Sequence, residues 1–121
     1  MFSNCNSLIS LDISNFDLSS AFELESKFNE CSNLTLLNLS NFDTSKVINI
    51  KNIFFAYDSL VTLDLSNFNF TSISLSDELF KNLNSLKYLK LCNIQTNTTN
   101  MSYLFYNLNK LLSLDLSNSK T

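Results

Sequence analysis

The chain has 121 residues, a formal net charge of −3, and no Gly, Pro, His or Trp; its length fits one domain. Without His there is no Ser–His or Cys–His nucleophile pair, and without Gly there is no glycine-rich phosphate loop. Its Lys residues are scattered and it has no Arg, unlike the clustered basic footprint of a nucleic-acid binder, and no apolar run is long enough to span a membrane.

The opening residues Met1-Phe2-Ser3-Asn4-Cys5-Asn6 lack the basic and apolar regions of a signal peptide. A first strand is expected over 10–14, where Leu11 and Ile13 alternate with polar residues. A helix is expected over 20–31, with Leu24, Phe28 and Cys31 on one face and Ser19-Ser20 as its cap. The second strand, 36–40, turns Leu37 and Leu39 inward and Leu36, Asn38 and Ser40 outward. Val47, Ile50, Phe54 and Tyr57, spaced 3, 4 and 3, predict a helix over 46–57 behind Thr44-Ser45. A strand over 62–66 follows, then a helix over 75–83 whose first turn holds Asp77 and Glu78. A strand over 88–92, a helix over 99–108 and a last strand over 112–117 complete the series.

These elements are copies of one unit. Leu11, Leu37, Leu63, Leu89 and Leu114 open related hexapeptides at spacings of 26, 26, 26 and 25. Phe2, Phe28, Phe54, Phe80 and Phe105 keep the same beat, as do Leu8, Leu34, Leu60, Leu86 and Leu111. Self-similarity at a fixed period marks a solenoid, and Leu-x-x-Leu-x-Leu is a leucine-rich-repeat strand signature. The expected fold is α/β: a leucine-rich-repeat solenoid of about 4.5 repeats, with a parallel sheet on the concave face and helices on the convex face. The units fall at 1–27, 28–53, 54–79, 80–104 and 105–121 of a single domain, expected to be part of a longer array.

Met1-Phe2-x-x-Cys5-x-x-Leu8-x-x-Leu11-Asp12-Ile13-Ser14-Asn15-Phe16-Asp17 resembles the repeat of the BspA-like leucine-rich-repeat surface proteins, and Leu39 to Val47 is closer still. The fourth unit departs from the pattern at Lys90, Cys92 and Gln95-Thr96-Asn97. The resemblance implies a non-catalytic adhesion or protein-binding array at the cell surface, with a protein or glycan ligand on the concave face. The alternative is an intracellular leucine-rich-repeat scaffold or structural spacer.

Stacking turns each repeat position into a column of side chains. The candidate binding face comprises Leu36, Thr62 and Tyr88 in one column and Asp12, Asn38, Asp64, Lys90 and Asp115 in the next. Cys92 lies beside the apolar spot that Leu36 and Tyr88 suggest. Asn15, Asn41, Asn67, Asn93 and Asn118 suit a structural ladder, since an amide both donates and accepts. Phe16, Phe42 and Phe68 are expected to form a buried spine. Asp17 and Asp43, diluted by Asn69 and Gln95, fall short of the six to eight oxygens of a calcium site. The three cysteines lack zinc spacing, and no cofactor or metal is expected. Leu112, Leu114 and Leu116 form an open edge, so end-to-end self-association is expected.

Overall fold

The computed structural model describes residues 2, 4–17, 20, 23–24, 28, 30–50, 53–71, 79–93 and 104–119. Alternating apolar residues at each Leu-x-Leu form short strands, β1 (Ser10–Asp12), β2 (Leu36–Asn38), β3 (Thr62–Asp64), β4 (Tyr88–Lys90) and β5 (Ser113–Asp115). They lie in one parallel sheet in chain order. Each residue pairs with its equivalent in the next unit: Leu11 faces Leu37, then Leu63, Leu89 and Leu114. Each strand has three residues, shorter than the spans the sequence suggests.

The leucine-rich-repeat fold with a helical back is not what forms: the chain is a parallel β-solenoid, and none of the described residues is helical. The expected helices at 20–31 and 46–57 are replaced by turns and extended chain wherever the structure describes them. Glu23 bridges Asn49 in parallel, and the Leu24 N–H donates to the Asn49 carbonyl at 3.0 Å. Residues 75–78 and 99–103 of the other two expected helices, with Asp77 and Glu78, lie outside the described residues. The parts that are described, 79–83 and 104–108, are turns and irregular chain.

Two physical reasons account for the correction. Residues 46–57 are dense in β-branched side chains and Asn, which are weak helix formers. A helix is also about 10 Å wide, whereas adjacent strands sit about 4.8 Å apart. Turns and extended segments can stack at the strand spacing. The misleading 3–4 spacing comes from successive turns, each closed by an N–H bonding back three residues. Val47 bonds to Thr44, Ile53 to Ile50, Leu60 to Tyr57, Leu83 to Phe80 and Leu86 to Leu83. Each turn returns an apolar side chain to the interior, as a helical face would.

The interior is a set of columns. Leu37, Leu63 and Leu89, together with Leu39, Leu65 and Leu91, are at most 1% exposed. Val47, Ile50, Ile53, Phe54 and Tyr57 fill the opposite wall. Phe54, Phe80 and Phe105 stack nearly parallel, with ring centroids 5.9 and 6.2 Å apart; Phe2 stacks on Phe28 at 5.8 Å. Among the described residues, the buried hydrophobic side chains form one cluster, continuous along the stack.

With no Gly available, left-handed backbone is carried by other residues. Asn4, Glu30, Ala56, Asn67, Asn93, Asn107 and Asn118 have positive φ. Asn tolerates this region because its short side chain bonds locally. Glu30 and Ala56 have no such help, and they occupy equivalent positions two residues after Phe28 and Phe54.

Candidate functional site

The second sheet column has a structural task that its sequence position conceals. A carboxylate or amide oxygen on Asp12, Asn38, Asp64 and Asp115 accepts the backbone N–H two residues on, from Ser14, Ser40, Ser66 and Ser117, at 2.9–3.0 Å. These are Asx turns, and they end each strand. Asp43 with Ser45 and Asn69 with Thr71 repeat the device at the following corner. The sequence signal, overlooked in favour of a binding role, is Asp/Asn-x-Ser/Thr.

The turns also set the charge of the column. The Ser14 backbone N–H, then the Ser14 hydroxyl, hold the Asp12 carboxyl below its ordinary range. Asp115 is held down first by the Ser117 N–H, then by the Ser117 hydroxyl, with Lys90 adding its charge. Asp43 is held down by the Ser45 side chain and backbone, aided by Lys46 and opposed by Asp17.

Along the column, each acid meets an amide or a cation. The Asn38 amide donates to Asp12 at 3.3 Å. Asn38 pairs with Asp64 in the sheet, and the Lys90 ammonium lies 3.8 Å from the Asp64 carboxylate. Lys90 then pairs with Asp115. In the first column, Leu36 and Tyr88 are exposed but are two strands apart, with Thr62 between them. Cys92 turns to its neighbour instead: its thiol donates to the Ser66 hydroxyl at 2.9 Å, which donates to Asp64 at 2.6 Å.

At the corner after the strands, Asn93 donates its amide to the Asn67 side chain at 2.9 Å, and Asn67 donates to the Ser40 carbonyl at 3.1 Å. The Asn67 and Asn93 backbone N–H groups reach the Cys92 and Ser117 carbonyls of the next coil. Phe42 and Phe68 are buried beneath this corner, whereas Phe16 is 47% exposed. Thr44, expected as a helix cap, is buried. Its hydroxyl donates to the Asn69 carbonyl at 3.1 Å and accepts the Asn69 N–H at 2.7 Å.

A polar cluster lies in the interior. Cys5, Cys31 and Tyr57 occupy one column; the buried Cys31 thiol donates to the Phe2 carbonyl at 3.0 Å. The Tyr57 hydroxyl is buried and has no hydrogen-bond partner. Burial first, then the neighbouring Cys31 and Cys5, push its pKa far above the ordinary phenol range. Burial likewise raises the Cys31 thiol. An unpaired buried hydroxyl costs about 1–3 kcal/mol, so Tyr57→Phe should stabilise the chain by about 1 kcal/mol. A higher urea midpoint with an unchanged denaturant slope checks this; a lower midpoint would show that the hydroxyl is satisfied.

Among the described residues, no group of three or more His, Cys, Asp or Glu side chains is placed to hold a metal ion. No described helix is long and apolar enough to cross a membrane.

The concave-sheet, convex-helix architecture on which ligand presentation rested is absent from the described residues, so that functional expectation is corrected. The BspA-like assignment falls for the same reason, because its alternation of strand and helix does not occur among the described residues. The leucine-rich-repeat and helix terms that went with it fall too. Comparison with curated proteins finds no match, and neither does comparison with solved structures. One family model does match, over residues 1–118, and the chain accordingly belongs to the family described as "Mycoplasma protein of unknown function, DUF285".

Proposed function

We propose that the chain is a non-catalytic module whose coils stack on further coils of the same 26-residue repeat. One observation carries this reading. Leu114 and Leu116 are 37% and 44% exposed, although their equivalents in β2, β3 and β4 and just beyond them are at most 1% exposed. Only an overlying coil distinguishes the two situations.

The backbone supports the same reading. On one side of the strands, Thr35, Val61, Lys87 and Leu112 donate their N–H groups to the carbonyls of Ile9, Thr35, Val61 and Lys87. On the other side, Ile13, Leu39, Leu65 and Leu91 donate to Asn38, Asp64, Lys90 and Asp115. Continuing this ladder brings an incoming N–H to the Leu112 carbonyl and aims the Leu116 N–H at an incoming carbonyl. A second copy supplies both, from Ile9 and Asp12. It also lays Leu11 on Leu114 and Phe2 on Phe105. Strand addition of this kind draws affinity from main-chain bonds and specificity from side chains. The absence of His and Gly from the sequence supports the non-catalytic part of the reading.

Sedimentation at increasing protein concentration tests it. The mass-average should rise with concentration, more steeply at 1 M salt, where apolar burial strengthens and charges are screened within about 3 Å. Leu114→Glu should weaken association at least about tenfold, because a charge enters the dry seam. A wild-type chain that stays monomeric at both salt concentrations would overturn the reading.

A further inference from the structure

We propose that Cys5 and Cys31 are the site of a disulfide that clasps two adjacent coils of the stack. The inference is separate from the stacking reading above, since both sulfurs belong to coils of this chain. Each cysteine lies three residues after one ring of a stacked pair, Phe2 and Phe28, whose centroids are 5.8 Å apart and whose planes differ by 12°. Matching turns follow, with the Leu8 N–H on the Cys5 carbonyl and the Leu34 N–H on the Cys31 carbonyl, both at 3.0 Å. Beyond the cysteines, the Ser32 hydroxyl donates to the Asn6 side chain at 3.1 Å and the Asn33 amide to the Asn6 carbonyl at 2.7 Å. The two coils are thus held in register on either side of the sulfurs.

Adjacent coils lie about 4.8 Å apart, within the roughly 4.4–6.8 Å between α-carbons that a disulfide spans. The direction suits a bridge as well. The Cys31 thiol reaches across to the Phe2 carbonyl at 3.0 Å, so its side chain points at the coil that carries Cys5. The Cys5 backbone N–H and the Cys5 side chain both hydrogen-bond to Cys31. Closing the bridge therefore takes a side-chain rotation rather than a backbone shift. The pairing has no rival. Tyr57, Leu83 and Leu108 continue the column without sulfur. Cys92 lies just past β4, two coils from Cys31, and its thiol is on Ser66.

The oxidant is a low-molecular-weight disulfide, RSSR. Burial disfavours the Cys31 thiolate, so the half-buried Cys5 makes the first attack. Cys5 loses its proton to solvent, bonds to one sulfur of RSSR and expels RS⁻, which takes up a proton. Cys31 then loses its proton, attacks the Cys5 sulfur of the mixed disulfide and expels the second RS⁻. Two thiols are oxidised and RSSR is reduced to two RSH. The Cys31 bond to the Phe2 carbonyl is given up, but a thiol is a weak donor. The bridge also closes a loop between residues 26 apart and so restricts the unfolded chain.

The test oxidises the full chain with excess glutathione disulfide, once folded and once during refolding from urea, so that slow access to the buried Cys31 cannot hide the bridge. Acid quenching, maleimide labelling and peptide mapping by mass spectrometry read the product. It should be lighter by two hydrogens, carry a Cys5–Cys31 linked peptide and take up one maleimide, on Cys92. Its thermal midpoint should rise by about 10 °C and return when dithiothreitol is added. Cys92→Ser should behave in the same way, whereas Cys5→Ser and Cys31→Ser should give neither the bridge nor the rise. Three maleimides after both treatments, glutathione adducts that never resolve, or a bridge that includes Cys92 would overturn the proposal. So would a Cys5–Cys31 bridge that leaves the midpoint unchanged. Should the serine variants misfold, the wild-type map and midpoint decide alone.

Discussion

Phe42→Ala is expected to destabilise the chain by about 3–5 kcal/mol, whereas Phe16→Ala should cost about 1 kcal/mol. The two residues close identical Ser-Asn-Phe corners, and each ring lies near another, Phe42 on Phe28 at 6.3 Å and Phe16 on Phe2 at 6.2 Å. What separates them is cover. Phe42 is 2% exposed with a coil on either side of it, and Phe16, which has a coil on one side only, is 47% exposed. Removing the Phe42 ring loses its transfer energy and leaves a cavity that stacked neighbours cannot collapse into. Domains of this size have about 5–15 kcal/mol of stability in all, so Phe42→Ala should lower the urea midpoint severely. Equal shifts for the two variants would mean that the corner ring does not derive its stability from having a coil on both sides.

That contrast also shows what a sequence can and cannot report about a stacked fold. The period, the strand positions and the inward leucines were legible because each recurs in register, and the parallel pairing of Leu11, Leu37, Leu63, Leu89 and Leu114 follows them. The back of the solenoid was misread. Val47, Ile50, Phe54 and Tyr57 are all buried, so their inward direction was correct. The helix inferred from their spacing was not, because turns closed from Val47 to Thr44 and from Ile53 to Ile50 give nearly the same interval. Burial follows periodicity; hydrogen-bond pattern does not. The abundance of Val, Ile and Asn in this stretch was the available warning.

The sheet face was legible as a set of columns but not as a set of roles. Asp12, Asn38, Asp64 and Asp115 looked like display residues because alternation points them outward. Their oxygens are committed to the N–H groups of Ser14, Ser40, Ser66 and Ser117. Among the described residues such turns recur wherever Asp or Asn precedes Ser by two, so the motif carries the local bond. Which residue lies across the column depends on register, and the alternation of acid with amide or cation appears only once five strands are aligned.

The Asn corner gives the second large effect. Asn67→Ala is expected to cost about 2–3 kcal/mol and Asn67→Gly about 1 kcal/mol, while Asn41→Ala should cost less than either. Asn41 and Asn67 sit in the same Leu-Ser-Asn-Phe quartet, and both corners close with an N–H from Phe to Leu, at 3.1 and 3.0 Å. Their backbones differ. Asn67 has φ of 67°, whereas Asn41 is not among the described residues with positive φ. Its N–H reaches the Cys92 carbonyl, and its side chain both donates to the Ser40 carbonyl and accepts from Asn93. Ala at position 67 would lose both side-chain bonds and place a β-carbon in left-handed backbone, at about 1–2 kcal/mol. Gly loses the same bonds without that β-carbon, so the difference between the two variants isolates the backbone cost. Urea midpoints for the three variants measure it. If Ala and Gly at position 67 prove equally destabilising, the corner is held by the amide bonds alone. If Asn41→Ala matches Asn67→Ala, the two corners share one backbone in solution.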